Sequence, residues 1–310
     1  MESSNLTSVT EFILLGLSNR PELQVDLFLL FLMIYLMILL GNLLIVLLVV
    51  VNTFLHTPMY FFLTNLSIIE VCYTSCVLPQ MLGHFFAKRK SISYSCCVTQ
   101  VYSFLSFGIA ECGILSVMAY DRYVAIRDPL RYTVTMNRGV CVRLVTGSWM
   151  GGFVASLVAT VSTFQLSFCR DNVINHFLCE MPALFHLSCT DTSQAEIITQ
   201  ILCVFTLLCP VTFITFSYTH IINIVLQICS AQGSRKAFST CSHLLVVILF
   251  FVTVMSLYMR PKSLYSPEKD KIITVFYVAF TPTLNPLIYS LRNKEVKIAL
   301  WKLAGKPRDT

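Results

Sequence analysis

The sequence MAYDRYVAI at residues 118–126 places the charged pair Asp121 and Arg122 at one end of a long apolar run. A charged pair inside lipid costs several kcal/mol, so this position predicts a functional or interfacial site. Two questions follow for the flanking sequence: which membrane face the pair occupies, and what lies at the other end of its helix.

The composition predicts a protein that crosses a membrane several times. The chain has 310 residues, of which 56% are hydrophobic and 12% charged, and its mean hydropathy is +0.74. A soluble domain has about 25% charged residues. The net charge of +6 is diffuse and no basic-aromatic stripe occurs, so we expect membrane lipids and no nucleic acid as partners. The 13 cysteines are not spaced as metal knuckles.

Apolar runs of about 20 residues are the spanning unit of a bilayer, and we count seven. They cover residues 23–50, 58–82, 94–119, 141–163, 197–228, 238–257 and 272–291. Residues 293–302 alternate apolar side chains with lysines, which predicts an interfacial helix and not another span. The predicted fold is an all-α membrane protein, a seven-transmembrane helix bundle followed by a short cytoplasmic amphipathic helix.

Basic residues orient the bundle. With the N-terminus outside, the inner segments hold about 13 basic and 4 acidic residues, against about 9 and 10 in the outer segments. We therefore predict an extracellular N-terminus (1–22), a seven-transmembrane domain (23–291) and a cytoplasmic tail (292–310) in the plasma membrane. The N-terminus has no signal-peptide pattern, and Asn5 begins a glycosylation sequon. Arg122 is then cytoplasmic.

The third apolar run joins the two faces. Cys97 and Arg122 are 25 residues apart, or about 37 Å along a helix, which crosses a bilayer. Cys97 therefore lies at the outer, oxidising end and needs a partner. The long outer loop offers Cys169, Cys179 and Cys189; four cysteines allow three pairings, and their spacing does not choose among them.

Six motifs occur in order along the chain, each at the appropriate end of its span. They are Gly41-Asn42, LHTPMYFFLTNLS (55–67), MAYDRYVAI (118–126), Ser217-Tyr218, KAFSTCSH (236–243) and PTLNPLIYSLRN (282–293). Together they resemble those of a rhodopsin-like (class A) G-protein-coupled receptor, and more narrowly those of the olfactory (odorant) receptor family. One departure is Phe251, where the family usually has a tyrosine in Phe-Tyr-Gly.

The resemblance implies disulfides Cys97–Cys179 and Cys169–Cys189. It also implies a heterotrimeric G protein of the stimulatory or olfactory type as partner, raising cyclic AMP. The implied coupling and switch residues are Asp121, Arg122, Tyr123, Tyr218, Asn285, Pro286 and Tyr289. Arg122 is expected to pair with Asp121 at rest and to turn toward the partner on activation. Pro286 removes a backbone hydrogen bond and kinks the seventh span.

The outer half of the bundle is the predicted ligand site. Its candidate residues share helix faces in spans three, five and six: Leu105, Gly108, Ile109, Cys112, Leu202, Thr206, Phe251, Val254, Met255 and Tyr258. This set is apolar with few polar groups, which is typical of a site for a small hydrophobic molecule such as an odorant. No acid lies in the outer third of span three, so an amine ligand has no counter-ion there.

Apart from Asp26 at the outer end of the first span, Glu70 and Glu111 are the only acids inside the predicted spans. Buried carboxylates are costly, and two that face each other share a proton or hold a cation. With Asn285 they resemble a sodium-type site; protonated, hydrogen-bonded acids are the equal alternative. No other cofactor is expected. A metal site at His176, Cys179 and Glu180 is disfavoured, because a disulfide-bonded cysteine is no thiolate ligand.

Other functional classes fit less well. A transporter typically has repeated halves, but the chain has no repeat and an odd number of spans. An intramembrane enzyme needs a nucleophile or paired catalytic groups, and only Glu70 and Glu111 qualify, so we expect no enzymatic activity. A class A receptor for a ligand other than an odorant stays open.

Overall fold

The computed structural model describes residues 9–18, 20–169, 172–227, 247–260, 264–292 and 294–303. The helices there are α1 (Gln24–Val51), α2 (Pro58–Ser75), α3 (Leu78–Phe86), α4 (Tyr94–Arg127), α5 (Tyr132–Thr135), α6 (Arg138–Phe164), α7 (Met181–Leu187), α8 (Ser193–Cys203), α9 (Cys209–Gln227), α10 (Val247–Tyr258), α11 (Pro267–Val275), α12 (Thr281–Arg292) and α13 (Lys294–Leu303). The strands are β1 (Glu11–Leu14), β2 (Ser91–Ser93) and β3 (Val173–Ile174).

Five helical stretches among the described residues are long and apolar enough to cross a membrane. They are Pro21–Val51, Pro58–Phe86, Tyr94–Arg127, Arg138–Phe164 and Ser193–Ile224, which confirm the first five predicted spans. α10 is the described part of the sixth, whose residues 238–246 lie outside the described ranges. The seventh is the helical run Pro267–Arg292, and α13 is the predicted amphipathic helix.

Prolines explain the irregular turns inside the spans. The helix of the fifth span has a π-helical turn at Val204–Leu208 and that of the seventh has one at Phe276–Phe280, each two residues before a proline, Pro210 and Pro282. A proline inside a helix has no N–H to donate, and its ring clashes with the carbonyl of the residue four positions earlier. An extra residue in the turn, as in a π-helix, makes room for the ring. Pro79 similarly lies in the first turn of α3, after the break that ends α2.

α4 is the central helix, and glycines allow α6 to approach it closely. A Cβ atom on Gly152 would lie 2.5 Å from the Ser106 carbonyl oxygen, and one on Gly113 would lie 2.8 Å from Ser148. The Ser106 and Ser156 hydroxyls hydrogen-bond across the same contact at 2.5 Å. Small residues of this kind allow membrane helices to pack backbone against backbone.

A small sheet, which the sequence did not predict, covers one end of the bundle. β1 pairs antiparallel with β2 and parallel with β3, which joins the chain's first described segment to two loops. Phe12 and Leu14 on β1 are fully buried. We call this the disulfide end, because Cys97–Cys179 (Cα–Cα 5.7 Å) and Cys169–Cys189 (5.9 Å) lie there.

We call the opposite end the Arg122 end, since α4 finishes there at Arg127. α13 docks at this end through Val296 and Ala299, which are buried. The Tyr60 hydroxyl at the start of α2 donates a hydrogen bond to Glu295 Oε2 on α13 at 2.7 Å. The tail helix is therefore part of the folded bundle.

Candidate ligand-binding site

A cavity lies between the disulfide end and the middle of α4. It encloses about 600 Å³ of space between atoms, including the part open to the outside. Its lining is mostly apolar and consists of Tyr73, Phe104, Leu105, Gly108, Ile109, Cys112, Ala159, Met181, Thr199, Leu202, Cys203, Thr206, Leu207, Phe250, Val254, Tyr258 and Tyr277. The cavity is therefore shaped for a small, largely apolar molecule.

Eight of the ten predicted ligand residues line this cavity. They are Leu105, Gly108, Ile109, Cys112, Leu202, Thr206, Val254 and Tyr258. Their i, i+3 and i+4 spacing places them on single faces of three helices, which then converge on one space.

Phe251 and Met255 do not line the cavity, so these two assignments are corrected. Phe250, Val254 and Tyr258 form the cavity-facing row of α10 at a spacing of four residues. Phe251 and Met255 lie one residue further around the helix, a rotation of about 100°. Phe251 is fully buried in the helix packing, and Met255 packs against the same core.

The sequence patterns did not predict several of the residues that line the cavity, for two reasons. Phe104 and Thr199 continue helix faces that were already identified, so their spacing from Gly108 and Leu202 is a usable signal. Met181 comes from the short helix α7 between two spans and Tyr277 from a π-helical turn. No periodicity within one helix places such residues in a cavity.

Met181 closes the cavity as part of a lid, the segment that runs from Cys179 to the end of α7. The lid is tethered to α4 by the Cys97–Cys179 disulfide. The Cys179 N–H also donates to Gln100 Oε1 at 2.9 Å, and the Gln100 amide donates to the Cys76 carbonyl at 3.0 Å. These bonds hold Met181, two residues further on, in a defined position over the cavity.

Glu180 anchors the lid to the helix of the seventh span. Its Oε1 accepts hydrogen bonds from the Tyr277 hydroxyl and, at 3.2 Å, from Thr274 Oγ1. Burial raises the pKa of Glu180 to about 7, although these two hydrogen bonds oppose the rise. Because Tyr277 lines the cavity, the lid anchor and the ligand site share a side chain.

His176 lies against this anchor as a neutral imidazole. Burial lowers the pKa of His176 to about 3. Its Nδ1 accepts from the Leu178 N–H at 3.3 Å, so the ring proton sits on Nε2, which is 3.6 Å from Glu180 Oε2. Cys179 is disulfide-bonded, and no His, Cys, Asp and Glu cluster suited to a metal ion occurs in the described ranges.

The structure places Glu70 and Glu111 together, fully buried below the cavity. Asn285 Nδ2 donates a hydrogen bond to Glu70 Oε1. Glu70 Oε2 and both Glu111 carboxylate oxygens have no hydrogen-bond partner among the described residues. A buried carboxylate needs a bound cation or a proton to offset its charge. The three unpartnered oxygens of Glu70 and Glu111 are suited to either one.

At the Arg122 end, a tyrosine holds the acid of the charged pair. The Tyr132 hydroxyl of α5 donates to Asp121 Oδ1 at 2.8 Å. The Arg122 guanidinium is hydrogen-bonded with the Tyr218 hydroxyl of α9 and attracts Asp121 electrostatically. Asp121 and Arg122 thus each bond a tyrosine hydroxyl, from α5 and α9, and attract each other without an ion pair within 4 Å among the described residues.

The remaining predicted switch residues have mixed outcomes. Tyr123 stacks with Arg127, whose guanidinium carbon is 5.5 Å from the ring centre. Pro286 lies inside α12 and contacts α1, since a Cβ on Gly41 would be 3.1 Å from Pro286 Cβ. The side chain of Tyr289, together with Asn5 and the KAFSTCSH stretch, lies outside the described residues.

These features define a class: a helical membrane protein with an apolar cavity near one end of the bundle and the charged residues Asp121 and Arg122 near the other. Residues 31–306 match the family model described as olfactory receptor. The chain is 49% identical to mouse (Mus musculus) olfactory receptor 5M5, covering 99% of this chain and 96% of that protein. It is 52% identical to human (Homo sapiens) olfactory receptor 5I1, covering 99% and 98%.

Human olfactory receptor 5A1 is 49% identical, over 98% of this chain and 97% of that protein. Full-length identity of this order shows common descent and a common fold. The chain therefore belongs to the olfactory receptor family of G-protein-coupled receptors, which are not enzymes.

Proposed function

We propose that this protein is an odorant receptor that binds a small, mostly apolar molecule in the cavity and activates a stimulatory or olfactory-type G protein, raising cyclic AMP. The observation that carries the proposal is the apolar cavity that α4, α8 and α10 enclose under the tethered lid. Burial of apolar ligand surface there supplies about 25 cal/mol per Å² of affinity before binding costs.

The Arg122 end supports the coupling part of the proposal. Arg122 is always charged and offers five donors in one plane. Its partner Tyr218 and the helix that contains Pro286 are elements that ligand contacts can bias between two arrangements. We place this end in the cytoplasm and the N-terminus outside, in the plasma membrane, on the distribution of basic residues.

The test is a cyclic AMP reporter assay on cells that express the full chain, screened with a panel of volatile molecules. At least one volatile should raise cyclic AMP in the wild type. Arg122→Ala should abolish that response at normal surface delivery, because the cytoplasmic partner loses its donor. Arg138→Ala, a loss of positive charge at an exposed position on the same face, is the matched control.

Tyr258→Ala should shift the potency of an active volatile without changing basal cyclic AMP, since Tyr258 lines the cavity far from Arg122. A normal response in Arg122→Ala would refute the coupling role. A response to non-volatile ligands alone would favour the class A receptor with another ligand.

We also propose that Glu70, Glu111 and Asn285 hold either a sodium ion or a shared proton. The unpartnered carboxylate oxygens support this, and they do not distinguish the two occupants. A bound ion would supply the positive charge that offsets two buried carboxylates.

A further inference from the structure

Most polar groups in the cavity wall already have partners. The Thr199 hydroxyl donates to the Ala195 carbonyl at 2.9 Å, and the Thr206 hydroxyl donates to the Leu202 carbonyl at 2.8 Å. Such bonds within a helix leave these hydroxyls no proton for a ligand.

The two tyrosines near the lid are also engaged. The Tyr277 hydroxyl donates to Glu180, and Tyr258 is hydrogen-bonded with Tyr277. The two hydroxyls form a short series of hydrogen bonds that ends at the Glu180 carboxyl of the lid. The positions of both tyrosine side chains therefore depend on Glu180. A ligand group that took the Tyr277 proton would have to break the lid anchor.

Tyr73 is the exception. Its side chain is 2% exposed, and its ring stacks on Phe104 with centres 4.7 Å apart. Gly108 makes room beside it, since a Cβ there would be 3.5 Å from Tyr73 Cε2. Yet the part of the chain that the structure describes offers no hydrogen-bond partner to the Tyr73 hydroxyl, on a residue that lines the cavity. A tyrosine hydroxyl in this position has a proton to donate to an acceptor atom of a ligand in the cavity.

We propose that the Tyr73 hydroxyl donates a hydrogen bond to the ligand and thereby selects small uncharged molecules that carry one acceptor oxygen on a hydrocarbon skeleton, such as ketones, aldehydes and esters. This inference rests on the proposed function and names its ligand class. A ligand oxygen satisfies the Tyr73 donor, whereas a hydrocarbon leaves it unpaired. Charged ligands are excluded, because no charged side chain lines the cavity among the described residues.

The experiment uses the full chain in the cyclic AMP assay with pairs of probes of one shape. Each pair is a methyl ketone of about six to ten carbons, within the range of small volatile molecules, and the alkene in which a methylene group replaces the carbonyl oxygen. The variant is Tyr73→Phe, which keeps the ring stacked on Phe104. The matched control is Tyr35→Phe, because the Tyr35 hydroxyl bonds Ser75 at 3.0 Å and lines no part of the cavity.

In the wild type, the ketone should be more potent than its alkene. Tyr73→Phe should raise the half-maximal concentration of the ketone by about fivefold to tenfold, and should change that of the alkene by less than about twofold. The difference in potency between the ketone and its alkene should therefore largely disappear in Tyr73→Phe and in no other variant. Tyr35→Phe should leave the potency ratio unchanged and should match the wild type in basal cyclic AMP, and both variants should match the wild type in surface delivery.

Three results would overturn the inference. Unchanged ketone potency in Tyr73→Phe would mean that the hydroxyl does not contact the ligand. Equal loss for ketone and alkene would mean that Tyr73 acts through packing, or through its neighbour Glu111. A receptor that responds to other volatiles but to no ketone, aldehyde or ester would refute the ligand class alone. No response to any volatile would refute the proposed function, and this inference with it.

Discussion

Replacement of Glu180 by glutamine should remove most of the dependence of receptor stability on pH near neutrality. Glu180 Oε1 accepts both hydrogen bonds of the lid anchor, from Tyr277 and Thr274. The amide oxygen of glutamine accepts the same two bonds, but glutamine does not ionise. The variant therefore separates the charge of the lid anchor from its geometry.

The magnitude follows from the pKa of Glu180, which burial raises from 4.5 to about 7. The folded protein then binds this proton more tightly than the unfolded chain does. Its contribution is fully present below pH 4.5 and is lost as the pH rises through 7. At about 1.4 kcal/mol per pKa unit, the loss is roughly 3 kcal/mol.

Other ionisable groups also lie near Glu180, and their effect on the pH dependence of stability must be separated from that of Glu180. His176 has its pKa lowered to about 3, so it stays neutral across the interval. Asp270 is bonded to Arg260, and Lys271 to Glu268. Their charges enter the measured curve of both proteins alike, so the difference between wild type and variant reports Glu180.

The assay is thermal unfolding of the purified chain in detergent between pH 4.5 and 8. The wild type should lose several degrees of melting temperature across this interval, since 3 kcal/mol corresponds to roughly 5 °C or more in a chain of this size. Glu180→Gln should lose much less and should be the more stable protein at pH 8. Glu22→Gln, at an exposed position, should follow the wild type. A variant whose melting temperature falls with pH as steeply as that of the wild type would refute the reasoning.

Three further changes test the packing, the lid and the buried acids. Gly152→Ala should destabilise the bundle by about 1–3 kcal/mol in thermal unfolding, because its Cβ meets the Ser106 carbonyl oxygen at 2.5 Å. Cys97→Ser removes the bond to Cys179 across 82 residues, worth up to about 4 kcal/mol, and should prevent surface delivery. Glu111→Gln should abolish any stabilisation by sodium chloride relative to potassium chloride, if sodium is the occupant.

Each of these changes has a matched control. Gly151→Ala adds the same methyl group one residue away, where nothing lies within 4 Å, and should be neutral. Cys96→Ser alters the exposed neighbouring thiol and should leave delivery normal. Equal effects in variant and control would contradict the packing and lid arguments. A wild type indifferent to sodium would favour the shared proton.

The helices and most of the cavity could be predicted because their signals are local. Apolar runs of bilayer length identify spans, and the i, i+4 spacing of Gly108 and Cys112 identifies a face. Phe251 was predicted to line the cavity and does not, because periodicity identifies only a helix face about 100° wide. The packing of α10 against its neighbours decides which edge of that face turns toward the cavity.

By itself, the sequence determined that this chain crosses a membrane repeatedly and that Arg122 and Cys97 lie at opposite ends of one helix, because length, hydropathy and spacing act along the chain. Only the tertiary structure decided which residues meet across helices. It placed Met181 over the cavity, joined Glu180 to Tyr277, and gave the Tyr73 hydroxyl no hydrogen-bond partner among the described residues. Hydrogen bonds act over about 3 Å, so side-chain pairing depends on helix rotation and tilt that no single segment specifies.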